Sequence, residues 1–386
     1  MTPKTQITSV DLFFLTGELS SALRGGRFDK AYQLGEKELK LKVYVSGKGS
    51  MELIITPGYL CISSFPRKPP EVPSSFAMQL RKNLENAFIR EVRQHDFDRI
   101  LEIVFEREDR TFILVAEFFS RGNIVLCDGS RKILGLLEWQ RWKDRMLGVG
   151  QIYEYPPETK NPLEVDYSAF RETLMSSGRK LVVLLATGVG LGGLYAEEVC
   201  LLSGIAKDTI ANKLKDDEVN SVHDSFTRVA GKIKSRETHP AILQKEGKAV
   251  DVIPFDLKVY EGFEKKEFGS FNDALDEYFS REEFDAAQKK RDESFRKEAE
   301  KLREIESRQD GIIARFEKDA VEMRQNGDLI YQNFQAVEEI LRLVKEERRK
   351  GASWDGLKGK IIGKAFDGVK IEEIGGDGSI IIKVEG

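Results

Sequence analysis

At 386 residues, 40% of them hydrophobic and 33% charged, the chain is long enough for two or three domains and too apolar for wholesale disorder. Its 61 basic and 65 acidic residues leave a formal charge of -4, which neither requires nor excludes nucleic acid, because a basic patch can sit on an acidic protein. The longest aliphatic run, Leu181–Ala186, is far short of the roughly 20 residues of a membrane span. The N-terminus lacks the apolar core of a secretory signal, so the protein is expected in the cytoplasm, away from membranes. Three scattered cysteines (Cys61, Cys127, Cys200) and three histidines (His95, His223, His239) make neither a disulfide framework nor a zinc pattern. No metal or cofactor is expected.

In chain order, Leu12, Leu15, Leu19 and Leu23 recur at helical spacing, which predicts a helix over residues 11–24, capped by Ser9 and ended by Gly25-Gly26. Strand patterns follow at 28–34, 38–45, 51–56 and 59–63, separated by Gly-containing turns. Leu39, Leu41, Val43 and Val45 alternate with Lys40, Lys42 and Tyr44, as in a strand with one face wet. A Pro-rich loop at 65–74 precedes a helix from Ser74 or Ser75 to about Leu84. Four further strands are expected at 88–93, 99–106, 111–118 and 123–127. The first domain is therefore α+β, built on antiparallel pairs.

Short helices are expected from 163 to 242. At their centre an apolar helix meets Gly188-Val189-Gly190-Leu191-Gly192 and then a second helix, the pattern of a helix–hairpin–helix. A polar connector with strand and loop character covers 252–279. From Glu282 to Arg324 the residues favour helix: Phe295, Leu302, Phe316 and Met323 fall in one heptad lane, and Ile305 and Ile312 in the other. Asn326-Gly327 is expected to break this arm before a second amphipathic helix over 329–350, and a small strand-rich tail follows. The expected divisions are 1–160, 161–250, 251–350 and 351–386.

Chemistry is sparse. No nucleophile elbow, Ser-His-Asp order or paired carboxylates stand out, so no enzyme activity is expected. Gly188, Gly190 and Gly193 fit the letters of a dinucleotide loop but lack a preceding strand. Gly188, Gly190 and Gly192 suit either close approach to phosphate or plain helix packing. Arg81, Lys82, Arg90, Arg93, Arg99, Arg107 and Arg110 make the first domain locally basic, with Phe76, Phe88 and Phe97 nearby. Eight acidic residues lie among them, so a solvated mixed-charge face is the simpler reading. Asp98-Arg99 suits either a structural ion pair or an Arg offered to phosphate or a base edge.

These strings, taken together, resemble the NFACT family of ribosome quality control factors, in its archaeal form. The resemblance rests on Asp11 with Glu18-Leu19, on Gly26–Gln33 (GRFDKAYQ), on Phe76–Lys82 (FAMQLRK) and on Gln94–Ile100 (QHDFDRI). Further matches are Glu117 with Gly122–Asp128 (GNIVLCD), then Arg145, Gly150, Tyr153 and Pro156-Pro157, and Phe271–Phe279 (FNDALDEYF). It implies a first domain similar to that of formamidopyrimidine-type DNA glycosylases, a helix–hairpin–helix module and a coiled-coil arm. It also implies binding to large ribosomal subunits obstructed by peptidyl-tRNA. There the factor would recruit an aminoacyl-tRNA, chiefly alanyl, so that the ribosome adds a C-terminal tail without mRNA.

The family's tRNA-recognition positions correspond to Asp11, Asp98 and Arg99; Arg93 and Arg81 are additions from local charge. The family's C-terminal NFACT-R domain has no counterpart, so the chain resembles a shortened member, and its heptad seam is expected to be exposed or paired with another chain. Two other readings remain: a nucleic-acid enzyme of glycosylase descent, whose Pro-Glu terminus is replaced by Pro3-Lys4, and a surface adhesion protein.

Overall fold

The computed structural model describes residues 3–143 and 145–384, which divide into two compact units on either side of Lys289 and Lys290. The first helix, α1 (Ser9–Leu23), starts two residues earlier than the periodicity suggests, and Thr8 rather than Ser9 caps it. The Thr8 hydroxyl accepts from the Asp11 N–H, and the Asp11 carboxylate accepts from the Thr8 N–H, a reciprocal capping box. Leu12, Leu15, Leu19 and Leu23 are all fully buried.

Nine strands form one antiparallel sheet. They are β1 (Arg27–Gln33), β2 (Leu39–Val45), β3 (Gly49–Ile55), β4 (Leu60–Ile62), β5 (Phe88–Gln94), β6 (Ile100–Arg107), β7 (Arg110–Glu117), β8 (Asn123–Asp128) and β9 (Ile133–Leu136). The strand order is β4-β3-β2-β1-β5-β6-β7-β8-β9. Its two halves meet where Arg27 pairs with Phe88, and they share one core, in which Phe28 meets Phe105 edge to face. Helix α2 (Ser75–Leu84), capped by Ser74, packs against both β1 and β9.

The wet face expected for β2 is only partly wet. Lys40 is buried, its ammonium held by Glu52 at 3.0 Å and by the Arg67 carbonyl at 2.7 Å. The Pro-rich loop supplies that carbonyl, so a lysine head is satisfied without water. β9 and a two-stranded hairpin, β10 (Gln140–Arg141) with β11 (Met146–Leu147), are absent from the sequence reading. Strands of two to four residues carry too little alternation to register.

The helical module contains α3 (Tyr167–Met175), a short α4 (Leu181–Val183) that widens into a π-turn over Leu184–Gly188, α5 (Gly193–Ser203) and α6 (Asp216–Ser235). Ala196 and Val199 are fully buried, as their spacing requires. Strands β12 (Ala241–Lys245), β13 (Lys248–Ile253) and β14 (Glu264–Glu267) form a three-stranded sheet in the order β13-β12-β14, which begins ahead of the connector expected from 252. A division at 250 therefore falls inside β13.

The long helix α7 (Phe271–Gln332) begins 11 residues before Glu282 and runs through Asn326-Gly327 without a break. Its early start follows from burial. Phe271, Ala274 and Leu275 are fully buried, the Glu18 carboxylate accepts the N–H groups of Phe271 and Asn272, and the Asp276 carboxylate accepts from the Ser64 N–H and hydroxyl. An anion at the N-terminus also suits the helix dipole.

In the second unit α7 gives way at Asn333 to α8 (Phe334–Arg349), then α9 (Trp354–Ile361) and a three-stranded sheet of β15 (Ala365–Phe366), β16 (Val369–Ile374) and β17 (Ile380–Val384). Ala336, Ile340 and Val344 of α8 join Leu357, Ile361, Val369, Ile371 and Ile374 in one small core, so α8 belongs with the tail. The heptad residues Leu302, Ile305, Ile312, Phe316 and Met323 are exposed. Among the described residues no helix is long and apolar enough to cross a membrane.

Gly327 sits in the interior of α7 with open space where a side chain would go. Replacing it with alanine should stabilise the local helix by about 1 kcal/mol. Slower amide exchange over residues 320–332 is the expected readout; unchanged exchange would mean that the Asn-Gly pair frays despite its helical geometry.

Candidate nucleic-acid interface

The five positions singled out in the first domain occupy three different environments. Asp11 is fully buried. Its carboxylate pairs with the Lys4 ammonium at 2.9 Å, and Lys4 also pairs with Asp251 at 3.0 Å and donates to the Val252 carbonyl. The Tyr260 hydroxyl donates to Asp251 in turn. Burial works against the Lys4 ammonium, but Asp11 and Asp251 flank it and hold its pKa above the ordinary value. Burial pushes the Asp11 carboxyl up, with Lys4 opposing. Asp11 thus offers no surface to an RNA; it caps α1 and fastens it to β13.

Asp98 and Arg99 lie at the open end of the sheet, in the turn that leads into β6. The Asp98 carboxylate accepts from the Thr159 hydroxyl, and its backbone carbonyl accepts from the Gln94 side chain, which also donates to the Ser9 carbonyl at the start of α1. Arg99 is half-buried. Burial lowers its pKa, with Asp98 opposing, and a guanidinium stays charged regardless. Its hydrogen-bond acceptor is the Gln6 amide oxygen at 3.5 Å, a long contact, and it makes no ion pair with the described residues. Arg99 is therefore a charge with unfilled donors.

Arg93, on β5, is committed. It grips Glu102 through two nitrogens at 2.7 and 2.8 Å and Glu91 through a third at 2.9 Å. Arg81, on α2, donates to the Ala31 carbonyl and lies over the Tyr32 ring at 4.8 Å. Around them, Arg90 pairs with Glu106, while Phe76 and Phe97 are buried in the core and Phe88 is exposed. Of the basic stretch, Arg90 and Arg93 are ion-paired, Arg81 and Arg107 donate to backbone carbonyls, and Arg99 is half-buried with one long contact.

Sequence reasoning missed the hub of this face. Glu102 is buried and binds Arg93, Arg131 and the Tyr155 hydroxyl. Arg131 lies over the Tyr155 ring at 4.5 Å, and His95 stacks on the same ring with centroids 3.4 Å apart. Nothing in the spacing of residues 95, 102, 131 and 155 links them; only the strand register does. A cleft of about 390 Å³ lies nearby, lined by Phe13, Gly17 and Ser20 of α1, by Arg93, and by Arg236 at the end of α6. Arg236 lies flat over Phe13 at 4.2 Å, and a side chain at position 17 would collide with it.

The three glycines of the helical hairpin divide similarly. A β-carbon on Gly190 would lie 2.1 Å from the Lys160 carbonyl, and one on Gly188 would lie 3.0 Å from Thr173, so both admit protein neighbours. Gly192, at φ 78°, faces open space before α5. Of the three, Gly192 has a free approach.

Structural comparison finds the same α+β architecture in the N-terminal part of the fibronectin/fibrinogen-binding protein from Streptococcus suis. The TM-score is 0.56 at 27% identity, over 72% of this chain and 100% of that one. Residues 8–361 match the model of the NFACT N-terminal and middle domains, and the chain belongs to the NFACT family. It is 35% identical over 371 residues to the archaeal Rqc2 homolog aRqcH of Methanocaldococcus jannaschii, covering 93% of this chain and 54% of that protein. It is 29% identical over 348 residues to the Rqc2 homolog RqcH of Streptococcus suis, covering 83% and 58%. The chain thus spans little more than half the length of these relatives.

Burial opposes ionisation of Glu102, but the Tyr155 hydroxyl, Arg93 and Arg131 outweigh it and hold the carboxyl below its ordinary value. Its contribution is therefore present above pH about 4.3 and is lost as pH falls through the lower folded value. Glu102→Ala should cost about 3 kcal/mol, at the low end for a buried pair because both guanidinium groups stay partly wet. Denaturant unfolding at pH 7 and in acid would show a gap between native and variant that narrows on acidification; a gap independent of pH would remove the ionic role.

Proposed function

We propose that this chain is the tRNA- and ribosome-engaging portion of a ribosome quality control factor. It docks on large subunits obstructed by peptidyl-tRNA and presents an aminoacyl-tRNA, chiefly alanyl, for addition of a C-terminal tail without mRNA. Peptidyl transfer belongs to the ribosome; the factor positions and does no catalysis. Family membership supports the class of function. The single observation that carries the site is Arg99: a half-buried guanidinium with no acidic partner among the described residues, fixed beside Asp98 at the sheet's open end. Such a group suits a phosphate or a base edge. Lys4, bound between the carboxylates of Asp11 and Asp251, stands where a glycosylase would need its acid, which disfavours the enzyme reading.

Cosedimentation with large subunits carrying peptidyl-tRNA, followed by sequencing of the retained tRNA, tests the proposal. The native chain should enrich one tRNA species, and Asp98→Ala/Arg99→Ala should lose it while keeping subunit binding. Equal loss of both would reduce Arg99 to a structural residue.

Asp11→Ala separates contact from support. It should destabilise the fold by about 3–5 kcal/mol, because Lys4 loses a buried partner, while tRNA binding by the fraction still folded is retained. Normal stability with lost tRNA would assign Asp11 to the interface instead. The exposed heptad seam further implies self-association through the arm, and sedimentation equilibrium should show a dimer that Phe316→Lys/Met323→Lys dissolves; a monomer at all concentrations would remove it.

A further inference from the structure

The open end of the sheet does not stop at Arg99. Phe118 N–H, at the end of β7, donates to the Arg99 carbonyl, and Asn123, at the start of β8, pairs with Glu117. The Asn123 side chain then bonds both the carbonyl and the N–H of Glu138. Three inter-strand steps, roughly 15 Å, thus separate the Arg99 strand from the segment that enters the β10–β11 hairpin. That hairpin carries two of the chain's three tryptophans, and both are out in solvent: Trp139 is 61% exposed and Trp142 38% exposed. Trp139 lies across Gly148, and the neighbouring Val149 and Ile152 are exposed as well. Large apolar side chains gathered on a surface mark a contact site.

Exposed cations flank the rings. Arg121, Arg141 and Lys143 are exposed and form no ion pair among the described residues. Of the described acids nearby, Lys37 holds Glu138 and Arg145 holds Glu117, while Glu154 is exposed. The Gly122 carbonyl accepts from the Gln140 side chain, which brings the turn bearing Arg121 against the hairpin. Arg145, anchored by Glu117 and set against Tyr153, lies over the Trp142 ring at 5.4 Å and braces it. Indole faces interleaved with unpaired cations are the components of a stacking platform for nucleotides.

We propose that the β10–β11 hairpin is a second RNA contact that takes unpaired nucleotides by stacking on Trp139 and Trp142, with Arg121, Arg141 and Lys143 following the backbone. Unpaired nucleotides are specified because a base offers its face to a side chain once it leaves the duplex stack. The platform extends the Arg99 surface and so rests on the reading given under Proposed function. It names a partner element, a single-stranded loop or end, that Arg99 alone does not.

The test uses the full chain and tryptophan fluorescence. Short unstructured oligouridylate should quench the emission, and a duplex of equal length should do so weakly. Trp139→Ala and Trp142→Ala should each weaken oligouridylate binding by about five-fold or more, and phenylalanine at either position should restore most of it. Arg141→Glu/Lys143→Glu should reduce affinity and flatten its salt dependence. Rescue by phenylalanine excludes a folding defect, and the exposure of both rings leaves the core intact in all variants.

Equal binding of oligouridylate by native and alanine variants would overturn the proposal. Loss of large-subunit binding with oligouridylate binding unchanged would also overturn it and assign the hairpin to a protein partner. If the native chain quenches with oligouridylate yet enriches no tRNA on ribosomes, the hairpin stands as an RNA contact and the tRNA reading falls. Loss of tRNA in the Arg99 variant with none in the tryptophan variants, and no quenching, would leave that reading standing and remove the platform.

Discussion

A lysine ammonium held between a buried carboxylate and a half-buried one organises the first unit. Lys4 joins Asp11 at the first turn of α1 to Asp251 on β13, and its backbone N–H reaches the Val250 carbonyl and the Tyr278 hydroxyl at the root of α7. Through its side chain and its backbone, this one residue thus joins α1, β13 and the root of α7. Removing either acid would leave a largely buried ammonium with one carboxylate where it now has two, which costs stability. Gln94 extends the tie, bonding the start of α1 on one side and Asp98 on the other. The loop that offers Arg99 inherits its position from this buried cluster.

That dependence separates two roles that a sequence comparison merges. Asp11, Asp98 and Arg99 stand together as positions carried over from the family. In space Asp11 is interior, Asp98 is half-buried and tied to Thr159, and Arg99 alone has unfilled donors. Loss of binding in a variant of any of the three would look alike in a functional assay and arise from different physics. Arg93 and Arg81, chosen for their charge, have already spent it on Glu102, Glu91 and a backbone carbonyl.

Much of the fold was legible because its elements announce themselves locally. The α1 periodicity, the β2 alternation and the Ser74 cap all depend on neighbours within a few residues. What escaped depends on neighbours far away. α7 starts early because Glu18 caps it and Ser64 meets Asp276, and no local pattern carries that information. Asn326-Gly327 reads as a break by propensity, yet the helix runs through it, since a pair of weak formers costs little inside 62 residues of helix. The site divides the same way. Asp98-Arg99 was visible as a pair, whereas the Glu102 hub and the tryptophan hairpin were not, because the partners of each meet through the register of β6, β7 and β8.

Glu18 has a further consequence. It lies on α1, the helix that Lys4 and Asp11 fasten, and its carboxylate closes the N-terminus of α7. The root of the long helix and the loop bearing Arg99 therefore lean on a single helix from its two sides. Release of α1 would take the support from both at once. The first unit should behave as one cooperative block in which the root of the arm and the RNA-facing edge are gained or lost together, with no half-assembled state that keeps one without the other.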